Sequence, residues 1–159
     1  MEPQEVKQAE LNDLVRFTAL LYYHLAKEVV QAFGQEGEKA IARAMENLGQ
    51  ERGMTIKAKV EEEGLPLTLD NLARFYDLPL AGAWRTTARI SPRRATHMVE
   101  YCPFAQVWRQ RKAENLGLLY CKVEDALKQA YNPDIVFEQS KSLMAGQDCC
   151  LISAKLKER

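Results

Sequence analysis

The sequence predicts an α+β domain: helices first, then a mainly antiparallel sheet of about four strands covered by helices. Three observations carry that expectation. Apolar residues recur at three- and four-residue steps up to about residue 63, and from residue 82 they alternate in short runs bounded by Gly and Pro. No internal repeat, low-complexity segment or linker divides the 159 residues. A single domain over 1–159 is therefore expected, with a helical part at 10–63 and a cysteine-bearing α+β part at 82–157.

The elements follow in order. Leu14, Phe17, Leu21 and Leu25 have the spacing of an amphipathic helix over residues 10–33, closed by Gly34 and Gly37. A second helix carries Ile41, Ala44, Met45, Leu48, Ile56 and Val60. Gly49 and Gly53 weaken its middle, where a kink is expected, and Gly64 is placed to cap its end. Thr68 is expected to cap a short third helix that buries Leu69, Leu72 and Phe75 or Tyr76. From Ala83 to Ile90 the period changes to two, the spacing of a strand. Ser91-Pro92-Arg93-Arg94 supplies a turn into a second strand over Ala95–Cys102. Pro103 suits the first turn of a helix through Trp108 and Arg111. A helix from about Cys121 to Tyr131 ends at Asn132-Pro133, and strands at Ile135–Lys141 and Cys149–Lys157 complete the chain.

Composition narrows the function. Apolar content of 47% and charged content of 28% fit an ordinary globular protein. Lys+Arg and Asp+Glu are both 22, so the formal charge is zero and no electrostatic drive toward nucleic acid or an anionic membrane exists. Arg89, Arg93 and Arg94 read as a solvated hairpin turn. No apolar run approaches the roughly 20 residues that span a bilayer, and the acidic start has no signal-peptide pattern. A cytoplasmic protein with reduced thiols is expected. A stripe of Leu14, Phe17 and Leu21 also offers a helix-mediated homodimer contact.

All four cysteines, Cys102, Cys121, Cys149 and Cys150, lie in the second half. Strand alternation sets Cys102 with Glu100, Met98 and Thr96, and His97 on the other face. It sets Cys150 on the apolar face with Ile152, Ala154 and Leu156. Cys121 falls off its helix's apolar stripe, beside Glu124 and Lys128. At a helix N-terminus its thiol pKa would be lowered. Three readings stay open: buried packing; a metal site of Cys102, Cys121 and Cys150 holding zinc or iron; and a thiolate nucleophile. Trp84 and Trp108 are expected to be core or pocket walls. His24 reads as a packed or surface residue.

Cys102-Pro103-Phe104-Ala105 with Trp108, then Tyr120-Cys121 with Val123, Ala126-Leu127 and Tyr131-Asn132-Pro133, then Gly146 with Asp148-Cys149-Cys150 form an ordered series. With Gly64-Leu65-Pro66-Leu67 and Gly82-Ala83-Trp84 it resembles the L-2-amino-thiazoline-4-carboxylate hydrolase family over roughly residues 33–157. The resemblance implies a small sulfur–nitrogen heterocycle as substrate and hydrolysis at its amidine-like carbon. In that role Cys102 or Cys121 would be the nucleophile or hold a water-activating metal, and Glu100 or Asp148 would move protons. Arg109 would bind the carboxylate, and Trp84 and Trp108 would wall the pocket. Gly146 to Cys150 is also loosely similar to the vinyl-4-reductase-type small-molecule-binding domain, which implies a non-enzymatic ligand- or metal-binding module as the alternative.

Overall fold

A computed structural model describes residues 3–78 and 82–158. It contains α1 (Pro3–Glu62), α2 (Leu69–Arg74), β1 (Arg85–Ile90), β2 (Arg94–Tyr101), α3 (Pro103–Arg109), α4 (Glu114–Tyr131), β3 (Ile135–Lys141) and β4 (Cys150–Leu156). The strands form one antiparallel sheet in the order β1-β2-β4-β3. The α+β class and the four strands are as predicted.

The long α1 is broken at Gly34, whose φ of 56° and ψ of −131° no other residue type adopts cheaply. The break reverses the chain. A Cβ on Gly37 would lie 2.5 Å from the Val29 carbonyl oxygen, whereas eight residues of straight helix span about 12 Å. The two halves of α1 then pack on α4, the largest contact between elements of the fold.

Gly49 and Gly53 do not kink the second half as expected. They form its docking seam, because a Cβ at either would collide with the α4 backbone at Val123 and Leu127. Removing two side chains lets the helix axes approach. The end at Gly64 is as expected: φ is +67° and its N–H donates to the Glu61 carbonyl at 2.9 Å. Thr68 sits at the N-cap of α2, yet its side chain makes no capping bond; its hydroxyl donates to the Pro66 carbonyl instead, at 3.5 Å.

The stripe that sets the period of the first half is not the buried one. Val15, Ala19 and Ala26 face the core, while Leu14, Phe17, Leu21 and Leu25 are exposed. Small residues on the inner face let the helix lie close to α3. Further boundaries differ: β1 begins at Arg85 rather than Ala83, and β4 is one residue shorter at each end than expected. β2 stops at Tyr101, and α4 begins at Glu114, about two turns before the predicted start. β1 is exposed along both faces, as an edge strand beyond the helical layer. No helix of the described residues is long and apolar enough to cross a membrane.

Helices cover one face of the sheet. Ala95, His97 and Val99 of β2 and Cys150, Ile152, Ala154 and Leu156 of β4 are its less exposed, inward positions. Two hydrophobic clusters result. One is aliphatic, around Ile56, Val60, Leu69, Leu127, Ile135 and Tyr131. The other is aromatic, around Trp108 and Phe104, and holds three of the cysteines at its margin.

Candidate functional site: a thiol and aromatic cluster continued by buried charge

Five rings form the aromatic cluster. Tyr22 of α1, Phe104 and Trp108 of α3, and Tyr120 of α4 stand with centroids 5.1–5.5 Å apart, and Trp84 joins Phe104 at 5.4 Å. Two of their polar ends are spent on backbone. Trp108 Nε1 donates to the Ala19 carbonyl at 2.9 Å, and the Tyr22 hydroxyl to the Leu116 carbonyl at 2.6 Å. These bonds fix the rings as a wall.

Cys102, Cys121 and Cys150 pack against this wall. Cys102 is not the last residue of a strand but the N-cap of α3, and its Sγ accepts the Ala105 N–H at 3.5 Å. Leaving the strand overturns the alternation that grouped it with Glu100. Cys150 lies on the inward face of β4, as expected, and its Sγ accepts the Leu143 N–H at 3.3 Å.

Cys121 sits two turns inside α4, not at its N-terminus, so the expected dipole activation is absent. Burial raises its thiol pKa to about 12, with Cys102, Cys150 and Glu124 adding to the rise. Burial also raises the Cys102 thiol. Both are protonated at neutral pH. Cys149 interacts chiefly with Asp148 and Lys141 instead. Among the described residues, no three His, Cys, Asp or Glu side chains are grouped as a metal ion would need, so Cys102, Cys121 and Cys150 do not form the set expected for zinc or iron.

One turn further along α4 the lining becomes charged. Glu124 Oε1 accepts from the Tyr76 hydroxyl at 2.9 Å, and Oε2 from Lys128 Nζ at 2.9 Å. Burial opposes its ionisation, but Lys128 and then Arg52 and Tyr76 outweigh burial and hold the carboxyl at about 2. Arg52 grips Asp77 with two hydrogen bonds of 2.7 and 2.8 Å and lies over the Tyr76 ring. Lys128 lies over the Phe137 ring, its ammonium 4.7 Å from the centroid. His97 faces the same interior from β2. Burial, then Lys128, lowers its pKa, and Glu124 opposes the shift. Its imidazole is neutral at pH 7.

The other predicted groups lie outside. Glu100 pairs with Arg85 at 3.4 Å on the surface, and Asp148 with Lys141 at 3.3 Å in an exposed turn. Arg109 is exposed in the last turn of α3. Trp84 and Trp108 are in the wall, as predicted. The places of Arg52, Tyr76, Tyr22 and Tyr120, and the pairing of Glu124 with Tyr76 and Lys128, were not foreseen. One signal existed: Cys121, Glu124 and Lys128 recur at three- and four-residue steps, a polar stripe on a helix whose other face is apolar. A surface groove of about 830 Å³ between α1 and α4, lined by Glu46, Lys57, Lys122 and Asp125 among others, shares no residue with the cluster. Chemistry favours the cluster, where thiols, rings and ionised groups meet.

The family model of the L-2-amino-thiazoline-4-carboxylic acid hydrolases matches residues 15–153. No curated protein sequence matches the chain. Two solved structures share the fold. One is trafficking protein particle complex subunit 3 from Naegleria fowleri, covalently bound to palmitic acid, with TM-score 0.53 and 16% identity; the match covers 91% of this chain and 95% of that one. The other is the phenol-responsive sensory domain of the transcription activator PoxR with phenol, with TM-score 0.54 and 17% identity, covering 87% and 74%.

Proposed function

Since the chain belongs to the L-2-amino-thiazoline-4-carboxylic acid hydrolase family, we propose that it opens a small sulfur–nitrogen heterocycle against the wall of Tyr22, Trp84, Trp108 and Tyr120. The observation that carries this reading is the meeting of Cys102, Cys121 and Cys150 with that wall beside the ionised Glu124. A thiazoline ring is flat and sulfur-bearing, which suits rings and thiols. Its amidine N–H groups suit a carboxylate.

The attacking group in this reading is water, because the thiols are protonated. Water adds to the amidine-like carbon and His97, neutral at pH 7, takes its proton. The carbon–sulfur or carbon–nitrogen ring bond then breaks, and the departing atom receives a proton. The product is the substrate plus one water. Cys121 and Cys102 line the ring, and Glu124 orients it. Incubation with L-2-amino-thiazoline-4-carboxylate, followed by mass spectrometry for the hydrated product, tests this. His97→Gln is expected to lower kcat/KM by roughly 100-fold. Full activity of that variant would sink the role of His97, and no product from the native protein would sink hydrolysis.

A second reading is binding without turnover, as a sensor or accessory module. It is favoured by the pairing of Arg52 with Asp77 and of Lys128 with Glu124, which leaves neither cation free for a substrate carboxylate. The solved neighbours, one with phenol and one with palmitic acid, support a ligand-holding fold. Calorimetric binding of the heterocycle with no hydrated product separates this reading from the first.

A further inference from the structure

The outer face of the first half of α1 is covered by none of the described residues. Leu14, Phe17, Leu21 and Leu25 are 63%, 62%, 50% and 59% exposed. At steps of three, four and four residues they form one ridge, about 17 Å long. The ridge lies opposite the Val15, Ala19 and Ala26 face that holds the helix on α3. Four large side chains exposed to this degree present roughly 400 Å² of contiguous apolar surface, the size that marks an interaction site on a soluble chain.

We infer that this ridge is the interface between two copies of the chain, paired as antiparallel helices about a two-fold axis. Charge selects this occupant. Helices that lie on anionic lipid have a polar face rich in Lys and Arg, whereas this ridge is bordered by acids and cations in equal number, Glu10, Asp13 and Glu28 against Lys7, Arg16 and Lys27. An antiparallel register that sets Leu14 against the partner's Leu21 brings Lys7 opposite the partner's Glu28, and the two-fold axis repeats both contacts. The Leu14–Leu21 and Lys7–Glu28 pairs thus match across the axis, as an isologous contact requires. From Lys7 to Glu28 the contact runs about 32 Å along the helix. The apolar ridge supplies about half of the roughly 800 Å² per partner of a standard interface, and the polar rim along this length would supply the remainder. The zero net charge of the chain imposes no long-range repulsion.

Sedimentation equilibrium of the full chain tests this. The native chain is expected to sediment at twice its own mass at about 10–100 µM, as is a Met54→Glu control, since Met54 is exposed on the other half of α1. The Phe17→Glu, Leu21→Glu double variant is expected to be a folded monomer with unchanged circular dichroism. The milder Leu21→Ala is expected to raise the dimer dissociation constant about 10-fold or more. A native chain that stays monomeric over this range overturns the inference. So does a dimer that survives both sets of substitutions, or a monomer that floats with phosphatidylcholine–phosphatidylserine vesicles, which would assign the ridge to lipid.

Discussion

The two clusters under the sheet are built from opposite materials. Around Leu127 and Ile135 the side chains are aliphatic, and the polar atoms among them are satisfied locally: the Tyr131 hydroxyl donates to the Thr68 carbonyl and Asn132 to the Leu67 carbonyl. Around Trp108 the core contains rings, three thiols and, one helical turn away, a carboxylate held ionised by two cations. A core made only for stability has no use for such groups, because burying charge returns little or nothing over burying hydrocarbon. In the proposed reading the first cluster carries the structure and the second the chemistry. Both sit on the same helix, with Leu127 on one face of α4 and Cys121 and Glu124 on another.

Substitutions can break that division. Leu127→Ala, at a fully buried site, is expected to cost about 3 kcal/mol of stability and to leave turnover per folded molecule unchanged. Denaturant unfolding and an assay below the transition check both halves. Glu124→Ala is expected to cost about 2 kcal/mol, because Lys128 loses its partner in a mostly buried place, and here turnover should fall together with stability.

The pH dependence sharpens the contrast, since both of its limbs belong to the same cluster. Glu124 ionises near 2 when folded against an ordinary 4.5. Its depressed pKa therefore contributes stability above about pH 4.5 that is lost as the pH falls toward 2. Glu124→Gln should remove this part of the acid limb. Cys121 runs the other way. Folded, its thiol stays protonated to about 12, while the unfolded thiol ionises near 9, so stability is lost as the pH rises from about 9 toward 12. Cys121→Ser should flatten that rise. Midpoints of urea unfolding across pH 2–11 measure both. The smallest effects are expected at the surface: Asp148→Ala and Glu100→Gln should leave melting temperature and turnover unchanged, since each group is paired with a surface cation away from the cluster.

Much of the fold was legible because period and turn chemistry are local properties. β3 has the predicted bounds, and α3 begins at the predicted Pro103. The misses share a cause. Gly49 and Gly53 looked like weak points because helix propensity says nothing of a neighbouring helix that needs their missing side chains. Leu14 and Phe17 set a correct helical period, yet nothing local reveals which of two apolar faces is covered. Strand alternation failed for Cys102 because Tyr101 ends the strand one residue earlier. At the site, the packing of three cysteines against one aromatic cluster depends on the α3–β4–α4 arrangement, which no spacing encodes. The acid chosen by strand alternation, Glu100, faces solvent, while Glu124 reaches the interior through Tyr76 and Arg52, 48 and 72 residues away.

In the proposed function the chemistry resides where the thiols and rings lie beside Glu124, and not at the exposed acids near the cysteines in sequence. The most direct test compares kcat/KM for ring opening in the native chain, Glu124→Gln and Asp148→Ala. A loss of roughly 100-fold or more in Glu124→Gln with native activity in Asp148→Ala is the predicted result. Native activity in Glu124→Gln together with an inactive Asp148→Ala would contradict it.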